Sequence, residues 1–108
     1  MALVRKMLVK LMLTGKQKRF LRAMGTAIDP IMQIGKAGIG DAVIRQLDEV
    51  LEVRELVKVR VIANAPDETD EVAGQLSKAV QAEIVQIIGR NLLFYRRSEK
   101  KPIIELPG

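Results

Sequence analysis

Residues 30–63 read PIMQIGKAGIGDAVIRQLDEVLEVRELVKVRVIA. Pro30 pushes the residue before it out of the helical region, and residues 30–34 then read as a short strand. Gly35-Lys36-Ala37-Gly38 follows as a tight loop. Over 39–53, Val43, Ile44, Leu47, Val50 and Leu51 recur at the helical period, with Arg45, Asp48, Glu49 and Glu52 on the wet face. Residues 56–63 alternate apolar and polar with period two, the pattern of a strand with one buried face. Strand, glycine turn, helix and strand in so short a span point to a small α/β domain.

The flanks extend that pattern. Thr14 can cap a helix running to about Ile28, with Phe20, Leu21, Met24, Ala27 and Ile28 on one arc and Lys18, Arg19 and Arg22 opposite. Phe20 is expected in the core. Residues 64–66 turn the chain, and Asp67 can cap a third helix to about Ala82 with Val72, Ala73, Leu76, Ala79 and Val80 inward. Asp67, Glu68, Asp70 and Glu71 crowd its first turn, where the helix dipole favours anions. Residues 83–88 read as a strand, 89–91 as a turn and 92–96 as the return strand of a hairpin. Residues 103–106 read as a short edge piece. The order α-β-α-β-α-β-β predicts a two-layer α/β sandwich with a four-stranded mixed sheet.

The chain has 108 residues, room for one domain and one core. Hydrophobic residues are 48% and charged residues 29%, the balance of an ordered globular chain. There is no Cys and no His. Disulfides, thiolate metal sites and Ser-His, Cys-His or zinc chemistry are thereby excluded. The carboxylates at 67–71 read as a helix start rather than a catalytic pair. The expectation is therefore a non-enzymatic protein with no cofactor, metal or small-molecule substrate.

The formal charge is +5, with a pI near 9.8. It is unevenly spread. Residues 1–28 carry seven Lys/Arg and no acid, and residues 90–108 carry five Lys/Arg against two acids. Residues 61–89 carry one base against five acids. Any single lysine is an ordinary solvated side chain, but the asymmetry as a whole suits an anionic partner.

Residues 1–13, MALVRKMLVKLML, stand apart. As a helix they put Leu3, Val4, Met7, Leu8 and Leu11 on one face, with Arg5, Lys6 and Lys10 opposite. Such a segment could touch a membrane or target the chain. The plainer reading is a non-structural extension ahead of the domain at 14–108, with Met12 able to serve as a start. No apolar run reaches the roughly 18 residues of a membrane span.

The glycine-rich element 35–40 is not a dinucleotide fingerprint, since its glycines run G-x-x-G-x-G. Nor is it a nucleotide P-loop, because Asp41 and Ala42 stand where Lys and Ser/Thr are required. What remains is G-x-x-G between a strand and a helix, with Lys36 inside it. Glycines let a backbone come close to a phosphodiester, the amides at the following helix start favour an anion, and Lys36 adds a mobile charge. This is the logic by which a KH domain clamps a nucleic-acid backbone. Base stacking has little support: Phe20, Phe94 and Tyr95 are the only aromatic residues. Phe94 and Tyr95 point to opposite faces of their strand, so at most one is free. Binding by backbone charge and shape is expected.

Four ordered blocks carry a resemblance: GKQKRFLR at 15–22, QIGKAG at 33–38, LVKVR at 56–60 and VQIIGRNLLFYR at 85–96. In this order and spacing they resemble the CRM domain (chloroplast RNA splicing and ribosome maturation) in its small bacterial stand-alone form, over about 12–107. The resemblance implies a KH-like RNA-binding fold similar to the C-terminal domain of translation initiation factor three. It implies association with the precursor of the large ribosomal subunit. A cytoplasmic, ribosome-associated protein is expected, as a monomer. Related domains serve group II intron splicing. On this chain the family's loop falls on Gly35, Lys36, Ala37 and Gly38, its basic first helix on Lys16, Lys18, Arg19 and Arg22, and its late basic positions on Arg90 and Arg96. Lys101 extends the expected backbone track. Gly40 stands where the family usually has a Thr or Ser cap. The alternatives are a protein-interaction module docking a ribosomal protein, a splicing factor, and a peripheral membrane protein acting through 1–13.

Overall fold

The computed structural model describes residues 13–108. The extension expected over 1–13 therefore lies, Leu13 apart, outside the described residues. The chain order is α1 (Gly15–Gly25), β1 (Met32–Ile34), α2 (Asp41–Arg54), β2 (Leu56–Val61), α3 (Thr69–Val80), β3 (Glu83–Ile88) and β4 (Asn91–Tyr95).

The strands form one mixed sheet in the order β1-β2-β4-β3. β1 runs parallel to β2 with Gln33 opposite Arg60. β4 is antiparallel to both its neighbours, pairing Arg60 with Asn91 and Leu56 with Tyr95 on one side, and Ile88 with Asn91 and Glu83 with Tyr95 on the other. The sheet thus has a lower end, where β2 and β3 begin, and an upper end, where β1, β2 and β3 finish.

Period-two alternation divides the apolar residues between the two faces. Val57, Val59, Val61, Leu92 and Phe94 pack with Leu47 and Leu51 of α2 and Val72, Leu76 and Val80 of α3. Leu56, Leu93, Tyr95 and Val85 pack on the other face with Leu21 of α1. Each of these fully buried side chains contributes about 1.5–3 kcal/mol of transfer free energy. The expected element order and four-stranded mixed sheet are present. The layering is finer than two layers, because α1 and the C-terminal segment cover the face opposite α2 and α3.

Local chemistry explains the ends. Thr14 Oγ1 accepts from the Gln17 amide at 3.1 Å and Gln17 Oε1 accepts from the Thr14 amide at 2.9 Å, a reciprocal capping box for α1. At the far end of α1 a Cβ on Gly25 would lie 2.5 Å from Leu93 Cδ2, so glycine is what lets the helix settle on the sheet. α3 is capped by Glu68 without a side-chain bond, and not by Asp67 as its spacing suggested.

Two further expectations are corrected, and the low expectation for base stacking is borne out. Phe20 is 38% exposed, not core; Leu21, its neighbour, is the fully buried residue. The buried residues of α1 are Leu21 and Gly25, four apart on one line, and Phe20 lies about 100° round the helix from Leu21. Residues 103–106 form no edge strand. Their Ile104 and Leu106 pack on the α1-side core, while the amides of Ile103 and Ile104 both donate to Glu55 Oε1, at 2.8 and 2.7 Å. Phe94 and Tyr95 are both buried, so neither offers a stacking surface.

Candidate nucleic-acid interface

The glycine turn sits at the upper end of the sheet. The Gly38 amide donates to the Gly35 carbonyl at 3.0 Å and closes the turn. Gly38 has φ +71° and is buried, and a Cβ there would stand 2.9 Å from Pro66 Cγ. Its missing side chain therefore accommodates Pro66 and a left-handed backbone, not an incoming phosphate. A Cβ on half-buried Gly35 would meet Ile62 Cδ1 at 3.6 Å, an ordinary contact that does not itself demand glycine. The exposed part of the turn is its tip, Lys36 and Ala37. Beyond it Gly40, whose absent Cβ has nothing within 4 Å, opens onto the first amides of α2. Those amides have no partner within the helix. The approach expected through all the glycines is thus narrowed to Lys36, Ala37 and Gly40.

Arg90 lies at the same end. Its carbonyl accepts the Val61 amide at 2.8 Å, while the Ile34 carbonyl accepts the Ile62 amide at 3.0 Å. The β3–β4 turn and the glycine turn therefore flank the exit of β2. Arg60 joins them on the α1 side of the sheet, level with Gln33 and Asn91. Among the described residues no carboxylate pairs with Lys36, Arg60 or Arg90.

The other expected cations lie elsewhere. Lys18 Nζ is 3.3 Å from Glu83 Oε1, and Glu83 is at the start of β3, level with Leu56. From there to the level of Val61 is about 16 Å along the strand at roughly 3.3 Å per residue. Lys16 and Arg19 are exposed on α1 near this lower end, and Arg22 is half-buried in its last turn. Lys101 is exposed on the segment that leaves the lower end of β4. The basic surface is therefore two regions and not a single track.

Arg96 does not belong to either. It is 8% exposed. Nη1 donates to Asp48 Oδ1 at 2.6 Å and to the Val80 carbonyl at 2.8 Å, and Nη2 donates to the Asp48 carbonyl at 2.8 Å. The guanidinium ties α2 to the end of α3 with three of its five N–H groups, and its burial keeps it away from the surface that an RNA backbone would touch. Its neighbour Glu55 is fully buried and accepts from the amides of Ser98, Ile103 and Ile104. Glu52 accepts from Ser98 Oγ at 2.7 Å and from the amides of Glu99 and Lys100. The Ser98 hydroxyl bond, foremost, holds the Glu52 carboxyl below its ordinary pKa.

The family model for the CRS1/YhbY (CRM) domain matches residues 13–96. The chain belongs to the CRM domain family. It is 46% identical to "Probable RNA-binding protein YqeI" of Bacillus subtilis over 96 residues, covering 89% of this chain and 100% of that one. An "RNA-binding protein" of Haemophilus influenzae is 34% identical over 96 residues, covering 88% and 95%. The solution structure of SAV1595 from Staphylococcus aureus superposes with a TM-score of 0.73 at 52% identity, covering 89% of this chain and 100% of that one.

Two residues of the upper region escaped the sequence reading, Lys58 and Arg60. The signal was present: in Val57-Lys58-Val59-Arg60-Val61 the alternation that buries the valines must turn both cations to the other face. They were absorbed as the wet side of a strand.

Proposed function

We propose that this CRM domain is a non-enzymatic RNA-binding protein acting in assembly of the large ribosomal subunit precursor, as a monomer on ribosomal particles in the cytoplasm. The observation that carries the reading is the exposed Lys36–Ala37 tip. It is pinned from below by the Gly35–Gly38 bond and by Pro66, and set directly before the open start of α2. A phosphate there meets a lysine, main-chain amides and the positive end of a helix dipole. Arg90 and Arg60 extend the positive surface at that end, and Lys16, Arg19, Arg22 and Lys101 offer a second region for a longer RNA. The relatives named as RNA-binding support the partner class, and the resemblance to ribosome-maturation proteins supports the particle.

Binding governed by backbone charge weakens steeply with salt. About five contacts to single-stranded RNA give a log–log slope near −3.5. Lys36→Glu with Ala37→Asp is the clean disruption, because both side chains are exposed and Gly38 is left alone. The pair should weaken binding to ribosomal RNA fragments without shifting the melting temperature. Unchanged binding would remove the tip from the interface. Sedimentation of cell extract with and without ribonuclease tests the particle: RNA-dependent co-migration with large-subunit precursors is expected. Co-migration that survives digestion points to a ribosomal protein as the partner instead.

A further inference from the structure

We propose that the uncovered part of the sheet's α1 side seats an unpaired RNA nucleotide, with its base in the cavity between β2, β3 and β4 and the flanking phosphates against Lys58 and Arg60. The inference rests on the RNA-binding reading and deepens it by naming the substrate as single-stranded.

α1 crosses the sheet over Leu93 and stops there, since Gly25 is the glycine that meets it. Above that crossing the register lays Gln33, Arg60, Asn91 and Ile88 side by side across all four strands. Gln33 and Arg60 are exposed, and Ile88 is 60% exposed. No described helix covers this row. A cavity of about 150 Å³ opens beside it, lined by Lys58, Gln86, Ile88, Asn91, Leu92 and Leu93.

The lining has the composition of a base site. Ile88 and Leu93 supply apolar surface. Gln86 and Asn91 supply carboxamides, the groups that present a donor and an acceptor side by side to a base edge. The Asn91 carboxamide is not used by the protein: its Oδ1 is shielded from water and bonds to nothing. Rotation about its terminal torsion turns either oxygen or amide toward a bound base. Lys58 brings the one charge, and no carboxylate lines the cavity to oppose a phosphate. A base held in a helix keeps its face stacked and its pairing edge engaged, so only an unpaired one can enter.

Position favours the same substrate. Asn91 follows Arg90 directly, and Arg60 lies one residue before the Val61 amide that Arg90 holds. The Lys36 tip, Arg90 and this row all lie at the upper end of the sheet.

The test is fluorescence anisotropy of the full chain with short homopolymer RNAs and an RNA duplex at fixed salt. Lys58→Gln with Arg60→Gln should weaken every single strand and flatten the salt slope by about 1.4, two contacts at about 0.7 each. Asn91→Leu should narrow the differences between homopolymers by roughly fivefold or more, while leaving duplex binding unchanged. Amide-shift mapping on the unmutated chain provides a readout that no folding defect can disturb, with changes expected at Lys58, Gln86 and Asn91. If both variants match the parent chain and the shifts stay with the glycine turn and α1, the face is not an RNA site. The RNA-binding reading survives that result so long as Lys36→Glu still weakens binding. If shifts at this face arise only on adding a ribosomal protein, the assignment is likewise overturned. A parent chain that binds no RNA sinks both readings together.

Discussion

At the lower end of the sheet, Arg96, Glu55 and Glu52 bond to the protein itself, to Asp48, to the Val80 carbonyl and to the amides of Ser98, Glu99, Lys100, Ile103 and Ile104. At the upper end, Lys36, Arg60 and Arg90 have no carboxylate partner among the described residues and stand in solvent. Both ends are rich in charge, and the chain's composition does not tell them apart. The difference lies in desolvation. A charge taken out of water must be matched by neighbours or it costs several kcal/mol. A charge left in water costs nothing until a ligand displaces that water. The first kind of residue specifies the fold, and the second kind remains available.

The largest effect should come from Glu55→Ala. It leaves the amides of Ser98, Ile103 and Ile104 without their acceptor, at a buried position whose φ of +66° remains strained for alanine. A loss of about 3–5 kcal/mol is expected in denaturant unfolding. Faster amide exchange at 103 and 104 should accompany it. The salt slope for a short RNA that reaches only the upper end should stay as it was. A slope that flattens even for such an RNA would break the separation between the two ends.

Next is a direct contrast of two arginines. Arg96→Met keeps apolar volume but removes the bonds to Asp48 and Val80, for about 2–3 kcal/mol of stability. Arg60→Gln should leave stability within about 0.5 kcal/mol, as for other solvated side chains. Equal destabilisation by the two would erase the distinction between the ends.

The third effect is smaller and depends on pH. The folded-state pKa of Glu52 is depressed, chiefly by the Ser98 hydroxyl, from an ordinary value of 4.5. Its contribution to stability is therefore complete above about pH 4.5 and is lost as the pH falls through the depressed value. Thermal melts of Glu52→Gln should show less acid sensitivity in that window than the parent chain. At the other extreme burial raises the Tyr95 phenol above 10.0, so its contribution is complete below that pH and declines above it. Identical acid profiles for Glu52→Gln and the parent would detach Glu52 from the C-terminal segment.

How much of this was legible in the chain depends on range. The capping box of Thr14 and Gln17 and the alternation of 56–61 are local patterns, and both were readable. The G-x-x-G turn was readable as a turn. What its glycines serve was not, because Pro66 arrives from a loop 28 residues later. The role of Arg96 was hidden for the same reason, since its partners lie 48 and 16 residues back. Phe20 and Leu21 are adjacent on one apolar arc, and only the line of the helix that meets the sheet decides which is buried. The lower clamp did leave a trace: Glu52 and Glu55 stand at the carboxyl end of α2, where the dipole disfavours anions. Acids in so poor a place for a helix signal partners outside it.

The smallest effect bears on the upper end alone. Gly40 is the N-cap of α2, has φ −121°, and makes no side-chain bond to the helix. The space that its Cβ would enter is empty. Serine fits there without strain, and its hydroxyl can accept from an amide of the first turn, so Gly40→Ser should stabilise by a few tenths of a kcal/mol. The same hydroxyl competes with a phosphate for those amides. If the RNA backbone is held by the start of α2, Gly40→Ser binds RNA slightly more weakly while melting slightly higher. If Lys36 acts as a point charge and the amides are idle, the melting temperature rises and affinity does not change. This one substitution therefore separates the main-chain contribution of the upper end from its side-chain charge, which no charge reversal at Lys36 can do.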